Sequence, residues 1–314
     1  MAGWTLTRNV KSQIDILGLG CTAVDELVYV AAYPPADTKT RVLRRERHCG
    51  GLTATALVAA SRLGAKCAYA GVLGNDGQSQ FVLSCLRREG IDVSRAICRE
   101  GARPVQSVIV VDEKWKTRNI FYDIDSVVGA DNKSPSKELI RSAKVLFVDN
   151  VGVKGMIRAA KIASAANIPV VADFESGDAP RFDELFALVD HLILSEVFAC
   201  QYTGANNPAT AVARLWNNRR SALIVTCGAK GCFYLAQGTR TPRHAPAFKV
   251  RARDTTGCGD VFHGAYAMAL ARGMELQARI RFASAAAAIK ATRQAGPAGI
   301  PTLAAVEKFL TSHQ

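Results

Sequence analysis

Residues 254–260 read Asp254-Thr-Thr-Gly-Cys-Gly-Asp260 and run straight into Val261-Phe-His-Gly-Ala-Tyr-Ala-Met-Ala-Leu-Ala-Arg-Gly273. Gly257 and Gly259 flank the small Cys258 where a loop becomes a predicted helix over 258–272, so that backbone N–H groups can converge on one point. The first turn of a helix carries unpaired donors and a partial positive charge, which suits a phosphate and the charge that builds up as it is transferred. Asp260 sets a proton-accepting carboxylate beside that anion hole. The combination points to phosphoryl transfer. A lone acid in a first turn is also what the helix dipole favours; the two glycines, with Asp254 upstream, give it a chemical meaning. The helix is apolar almost all round, which buries it and holds its first turn rigid, with Gly273 expected just beyond its end.

The motif resembles the C-terminal signature of the PfkB, or ribokinase-like, carbohydrate kinases, written DTxGAGD, with Cys258 in place of the usual alanine. Gly50-Gly-Leu-Thr-Ala-Thr-Ala-Leu-Val-Ala-Ala-Ser-Arg-Leu-Gly64 is similar to that family's GGxxxNxAxxxxRLG segment, and Ala70-Gly-Val-Leu-Gly-Asn-Asp76 to its GxVGxD segment. Asp25 after the first strand and Thr226-Cys-Gly-Ala-Lys-Gly231 complete a series in the family's order, running from about residue 14 to about 301.

The resemblance implies an ATP-dependent kinase acting on a hydroxyl of a small sugar or sugar derivative. Asp260 would be the base, and the N–H groups of Gly257, Cys258 and Gly259 would stabilise the moving phosphoryl group. Asp25, Gly50 and Gly51 would hold the acceptor, the diglycine also serving as a lid hinge; Thr55 stands where asparagine is common. Asn150 and Asp173 fall where the family varies with substrate. Thr226, Gly228, Gly231 and Ser195 would line the nucleotide site. Magnesium would bridge the ATP phosphates. The family's N-x-x-E motif is here Ser195-Glu-Val-Phe198, which leaves Glu196 to hold magnesium through water. Asp254 and the Gly/Pro-rich loop 290–301 match the place where many members bind potassium. Local similarity to sulfofructose kinases (Pro246-Ala-Phe-Lys-Val250 and Ala298-Gly-Ile-Pro301) lacks the expected sulfonate-binding arginine, since Asn150-Val151 stands there. A nucleoside kinase of the same fold stays open, as does a non-catalytic sugar or nucleotide sensor, which the retention of Asp260 and both glycines argues against.

Composition narrows the field. The 314 residues are 49% apolar and 21% charged, an ordinary soluble balance with no run fit to cross a bilayer. Residues 1–13 lack the apolar core of a signal peptide, and the expected compartment is the cytoplasm. The nine cysteines show no C-x-x-C spacing, which excludes a disulfide framework or zinc site and leaves reduced thiols. The net charge of +13 raises nucleic acid as a partner, but the basic residues are scattered and no nucleic-acid-binding signature accompanies them; anionic substrates explain the charge better. There is no G-x-x-x-x-G-K-[ST] loop. The Gly18-Leu-Gly-Cys-Thr-Ala23 stretch, which mimics a dinucleotide fingerprint, continues as a strand through Asp25 instead of opening a helix.

Strand-like runs at 14–20, 67–73, 145–149, 169–173, 191–194 and 223–227 alternate with helical patterns at 53–63, 78–89, 154–166, 181–188 and 207–217. Such alternation predicts an α/β fold with a mainly parallel sheet covered on both faces. Strands 27–30 with 41–48, and 105–111 with 117–122, lack an intervening helix and form a small separate sheet. The resemblance makes the fold a ribokinase-like three-layer α/β/α domain over 1–314, with that sheet, roughly 27–48 and 104–123, as a lid over the sugar and a homodimer interface. Lys39 and Arg41, in the arginine-rich part of the lid, are expected to reach an anionic group on the acceptor.

Overall fold

The computed structural model describes residues 14–115, 117–293 and 296–313, so the signal-peptide expectation for 1–13 lies outside the described residues. The chain runs β1 (Ile14–Gly18), β2 (Ala23–Val30), β3 (Val42–Gly50), α1 (Leu52–Arg62), β4 (Cys67–Tyr69), β5 (Val72–Leu73), α2 (Gly77–Arg88) and β6 (Ile97–Cys98). The hairpin β7 (Val105–Asp112) and β8 (Thr117–Asp123) follows, then α3 (Lys137–Arg141), β9 (Ala143–Asp149), α4 (Val153–Ser164), β10 (Val170–Asp173) and α5 (Phe182–Ala187). After these come β11 (His191–Ser195), α6 (Glu196–Thr203), α7 (Pro208–Leu215), β12 (Ala222–Thr226), β13 (Cys232–Ala236) and β14 (Arg243–Ala245). Three helices close the chain: α8 (Cys258–Ala271), α9 (Leu276–Ala291) and α10 (Leu303–Thr311).

The eight-stranded main sheet has the order β14-β13-β12-β11-β10-β9-β1-β4, parallel except for β13 and β14 at one edge. Its central strands are mostly apolar because both faces are covered, and alternate residues feed opposite layers. Val145, Phe147, Val171, Ile193 and Ile224 pack with α1, α8 and α9. Leu146, Val148, Val170, Leu192 and Val225 pack with α4 to α7 on the other side. This is the three-layer α/β/α arrangement.

A second sheet, β3-β2-β7-β8, stands apart from the first; β2 pairs with β7 in parallel and the outer pairs are antiparallel. The predicted strand 67–73 is broken: after β4 the Val72 N–H turns to the Gly129 carbonyl (2.9 Å), and β5 pairs with β6 in a small sheet of its own. Two helices escaped the sequence pattern. α3 is too short to show a helical period, and α6 occupies the stretch matched to the N-x-x-E motif.

Candidate active site

Asp149, Asp173, Ser195 and Thr226 are the last residues of the parallel strands β9, β10, β11 and β12, so their side chains gather along one edge of the main sheet. Ligands of open α/β sheets bind outside such strand ends. Gly257 caps α8 with φ 73°, a left-handed conformation that a side chain would strain. Thr256 is held by its N–H to Asp254 Oδ1 at 2.9 Å. The N–H groups of Gly257 and Gly259 have no hydrogen-bond partner among the described residues, whereas that of Cys258 donates to the Thr255 carbonyl at 3.2 Å. Two of the three expected donors are therefore free to meet an anion, and the third must leave a turn to join them. Burial pushes the Cys258 thiol up to about 11, against the pull of Lys290, so it stays a neutral small side chain.

Asp260 lines a cavity of about 360 Å³ together with Asp254, Thr256 and Gly257, with Asp25, Gly50, Gly51 and Thr55, and with the inner face of the lid. The diglycine is needed for room as much as for conformation. A Cβ on Gly50 would collide with Asp25 Oδ2, and Gly51, at φ 95°, lies against the main chain of Thr22 and Ala23. Burial raises the Asp25 carboxyl, opposed by a hydrogen bond from Ser107 and the charge of His48.

The environment of Asp260 is acidic. Burial first, then the charges of Asp173 and Glu175, push its carboxyl well above the usual range, with His263 opposing. Asp173 is buried and likewise raised, by burial and then by Glu175 and Asp149, while a hydrogen bond with Asp260 counteracts them. Two carboxyl groups in one hydrogen bond share a proton and titrate as a unit. His263 closes the cluster from below: Nδ1 lies 2.8 Å from the Gly259 carbonyl and 3.3 Å from Asp173 Oδ2, and Nε2 lies 3.1 Å from the Ile193 carbonyl. It ties the helix start to the sheet.

On the lid, strand alternation puts Asp25, Leu27 and Tyr29 with Arg44, Glu46 and His48 on the cavity side. Arg45 and Arg47 fall on the other side, where Arg47 pairs with Glu26 at 2.8 Å. Arg44 stacks 3.4 Å over the Tyr29 ring and pairs with Glu46 (2.9 Å) and Glu113 (3.0 Å). Arg118 of β8 and Arg253 line the cavity as well. Lys39 and Arg41 are exposed, precede β3, and lie outside the cavity lining. Asn150 is also outside it; its amide braces the next loop through the Glu175 N–H (3.1 Å) and Ser176 Oγ (3.3 Å).

The residues expected to meet a nucleotide gather further along the sheet edge. Ser195 and Thr226 are register partners, and Gly228 and Gly231, with φ 56° and 93°, bracket the turn that follows β12. Ser195 Oγ accepts the Phe198 N–H at 3.1 Å, which makes it the cap of α6. Glu196 Oε1 lies 3.7 Å from Lys230 Nζ across to that turn. Sequence reasoning missed the coupling of Asp173, Glu175 and His263 to Asp260. His263 was within reach, because it follows Gly259 at helical i,i+4 spacing.

The pattern of the pfkB family carbohydrate kinase matches residues 19–303. The chain belongs to that family. It is a carbohydrate kinase. Fructokinase-1 of Oryza sativa subsp. japonica is 28% identical over 287 residues, covering 84% of this chain and 88% of that protein. Ribokinase of Mus musculus is 32% identical over 239 residues, 71% of each. Among solved structures, a putative ribokinase from Agrobacterium tumefaciens superimposes with a TM-score of 0.88 at 27% identity, covering 96% of this chain and 98% of that one. The ribokinase of Arabidopsis thaliana complexed with ribose and ATP shares the fold at a TM-score of 0.83 and 22% identity, covering 95% and 98%.

Proposed function

We propose that this pfkB-family enzyme transfers the γ-phosphoryl group of ATP to a hydroxyl of a small sugar or sugar derivative, with Asp260 taking the hydroxyl proton. The observation that carries the proposal is the placement of Asp260 between free N–H donors of the α8 start and the Asp25–Gly50 wall of one cavity. A carboxylate whose pKa is raised by burial and like charge holds an accepted proton readily. Asp25 accepts hydroxyls of the acceptor, the glycines let the main chain approach it, and the lid shuts out water. The free N–H groups of Gly257 and Gly259, joined by that of Cys258, meet the charge on the phosphoryl group in transfer.

Thr226, Gly228 and Gly231 receive the nucleotide beyond the strand ends. Ser195, engaged as a cap, shapes that edge. Magnesium, when bound, neutralises phosphate charge. Glu196 fits a water-mediated hold on it, because its carboxylate faces the nucleotide turn and is partly exposed. The ribose and ATP named for the Arabidopsis structure support this pairing of substrates. Exposed Val108 and Phe121, register partners on the outer lid face, support a homodimer built through the lid. Nine free thiols support the cytoplasm as the compartment. No helix among the described residues is long and apolar enough to cross a membrane. An ADP-release assay across ketoses, aldoses, sugar acids, sulfo-sugars and nucleosides tests the reading. ADP release dependent on a sugar is the expected result; turnover with nucleosides alone, or with no acceptor, overturns it.

A further inference from the structure

The side chain at the base of the anion hole is a lysine. Lys290, in the last turn of α9, is 1% exposed, and its Nζ lies 3.3 Å from both the Asp254 carbonyl and Asp254 Oδ2. An ammonium with no solvent persists only where it is paired, and here it is held in several ways. The C-terminal end of a helix favours a cation. The Arg253 and Asp254 N–H groups donate to the Ala291 carbonyl at 2.7 and 3.2 Å, which pins the Asp254 turn onto the end of α9. Gly299 leaves room for the lysine stem; a Cβ there would stand 2.9 Å from Lys290 Cδ. Cys258 Sγ donates to the Ala287 carbonyl at 3.6 Å, one helical turn back along α9.

The resemblance places potassium on Asp254 and the loop 290–301, of which 294 and 295 lie outside the described residues. The groups present do not fit such an ion. Both the carbonyl and the carboxylate oxygen that Asp254 would offer it already face an ammonium of the same charge and closely similar size. We infer that Lys290 is the resident cation of this site, a positioning residue that locks the Asp254 turn and the donors of the α8 start in place of a monovalent metal ion. Its charge adds to that of the helix N-terminus facing the phosphoryl group, and being covalently attached it does so at any salt composition.

This inference rests on the kinase reading for its activity arm, and a second arm stands free of it. Wild-type turnover is expected to be the same in potassium, sodium and tetramethylammonium at equal ionic strength. In tetramethylammonium Lys290→Ala should lose roughly 10²-fold in kcat, the scale of a lost oxyanion-hole contact, and regain about tenfold or more with ammonium or potassium. A merely structural lysine would give no such rescue. The unfolding midpoint of the variant should rise in ammonium or potassium over tetramethylammonium, while that of the wild type stays put. Marked activation of the wild type by potassium overturns the inference, as does a variant that keeps its turnover in tetramethylammonium or that no small cation restores. If Lys290→Ala does not fold, the wild-type cation comparison decides alone. A wild type that turns over no acceptor sinks the kinase reading and leaves the midpoints to decide the role of Lys290.

Discussion

Asp254 and Asp260 stand at the two ends of one short motif, and their surroundings drive them in opposite directions. Burial would raise both. At Asp254 the Thr256 N–H and hydroxyl and the Lys290 ammonium outweigh burial and hold the carboxyl below the usual range. At Asp260 the charges with the largest effect are those of Asp173 and Glu175, which add to burial and raise it. One end of the motif is a fixed anion neutralised by a lysine, and the other is a carboxyl ready to exchange a proton. The residue type is the same, so the difference comes from the neighbours: Thr256 of the motif itself with Lys290 of α9 at Asp254, and Asp173 and Glu175 from beyond the motif at Asp260.

The largest effect expected from breaking this contrast is at Asp260. Asp260→Asn should lower kcat by roughly 10³-fold while nucleotide affinity stays within a few-fold, because the main-chain donors remain. Turnover within about tenfold of wild type would remove Asp260 from the base role.

Asp254→Asn should act on the scaffold. It leaves the Lys290 ammonium without its counter-charge, which costs about 2 kcal/mol, less than a fully buried pair because Asp254 keeps some solvent. A lower unfolding midpoint with about a tenfold loss of kcat is expected; an unchanged midpoint would show that the pair adds nothing to the fold.

The third variant sharpens the comparison through pH. A base works deprotonated, so activity should fall as pH drops through the raised pKa of the Asp260–Asp173 pair. Asp173→Asn removes the like charge with the largest effect on Asp260 and should move that acid limb of kcat/KM to lower pH; a limb that stays put would assign it to another group. In stability the two ends differ in sign. The lowered Asp254 stabilises the fold above its unfolded pKa and loses that contribution as pH falls through its folded value. The raised Asp260 contributes most when protonated, and that contribution fades as pH rises through its folded value.

The smallest effects belong to the lid. Arg118→Ala should raise the KM of an anionic acceptor by about tenfold and leave that of a neutral one alone. Lys39→Ala and Arg41→Ala should leave both unchanged. A KM shift at Lys39 or Arg41 would mean that the lid closes further over the cavity than it does here.

Much of this was legible in the chain itself. Apolar runs with no polar alternation announced strands covered on both faces, and the two helix-free strand pairs announced a separate sheet, because period and length alone distinguish these cases. The motif at 254–260 was legible as a helix start with unpaired N–H groups, where glycines at 257 and 259 keep side chains out of the way and allow the left-handed turn at Gly257. The tertiary structure decided which charges meet. Asp173 and Glu175 come to Asp260 from the end of β10, His263 joins the Gly259 carbonyl to β11, and Lys290 crosses from α9 to Asp254. It also decided that Arg44 is spent on Tyr29, Glu46 and Glu113, while Arg118 lines the cavity. A sequence carries the period of its own elements and the local hold of Thr256 on Asp254, but electrostatics acts through space, and the charged partners Lys290, Asp173 and Glu175 lie far along the chain and become neighbours only when the layers pack.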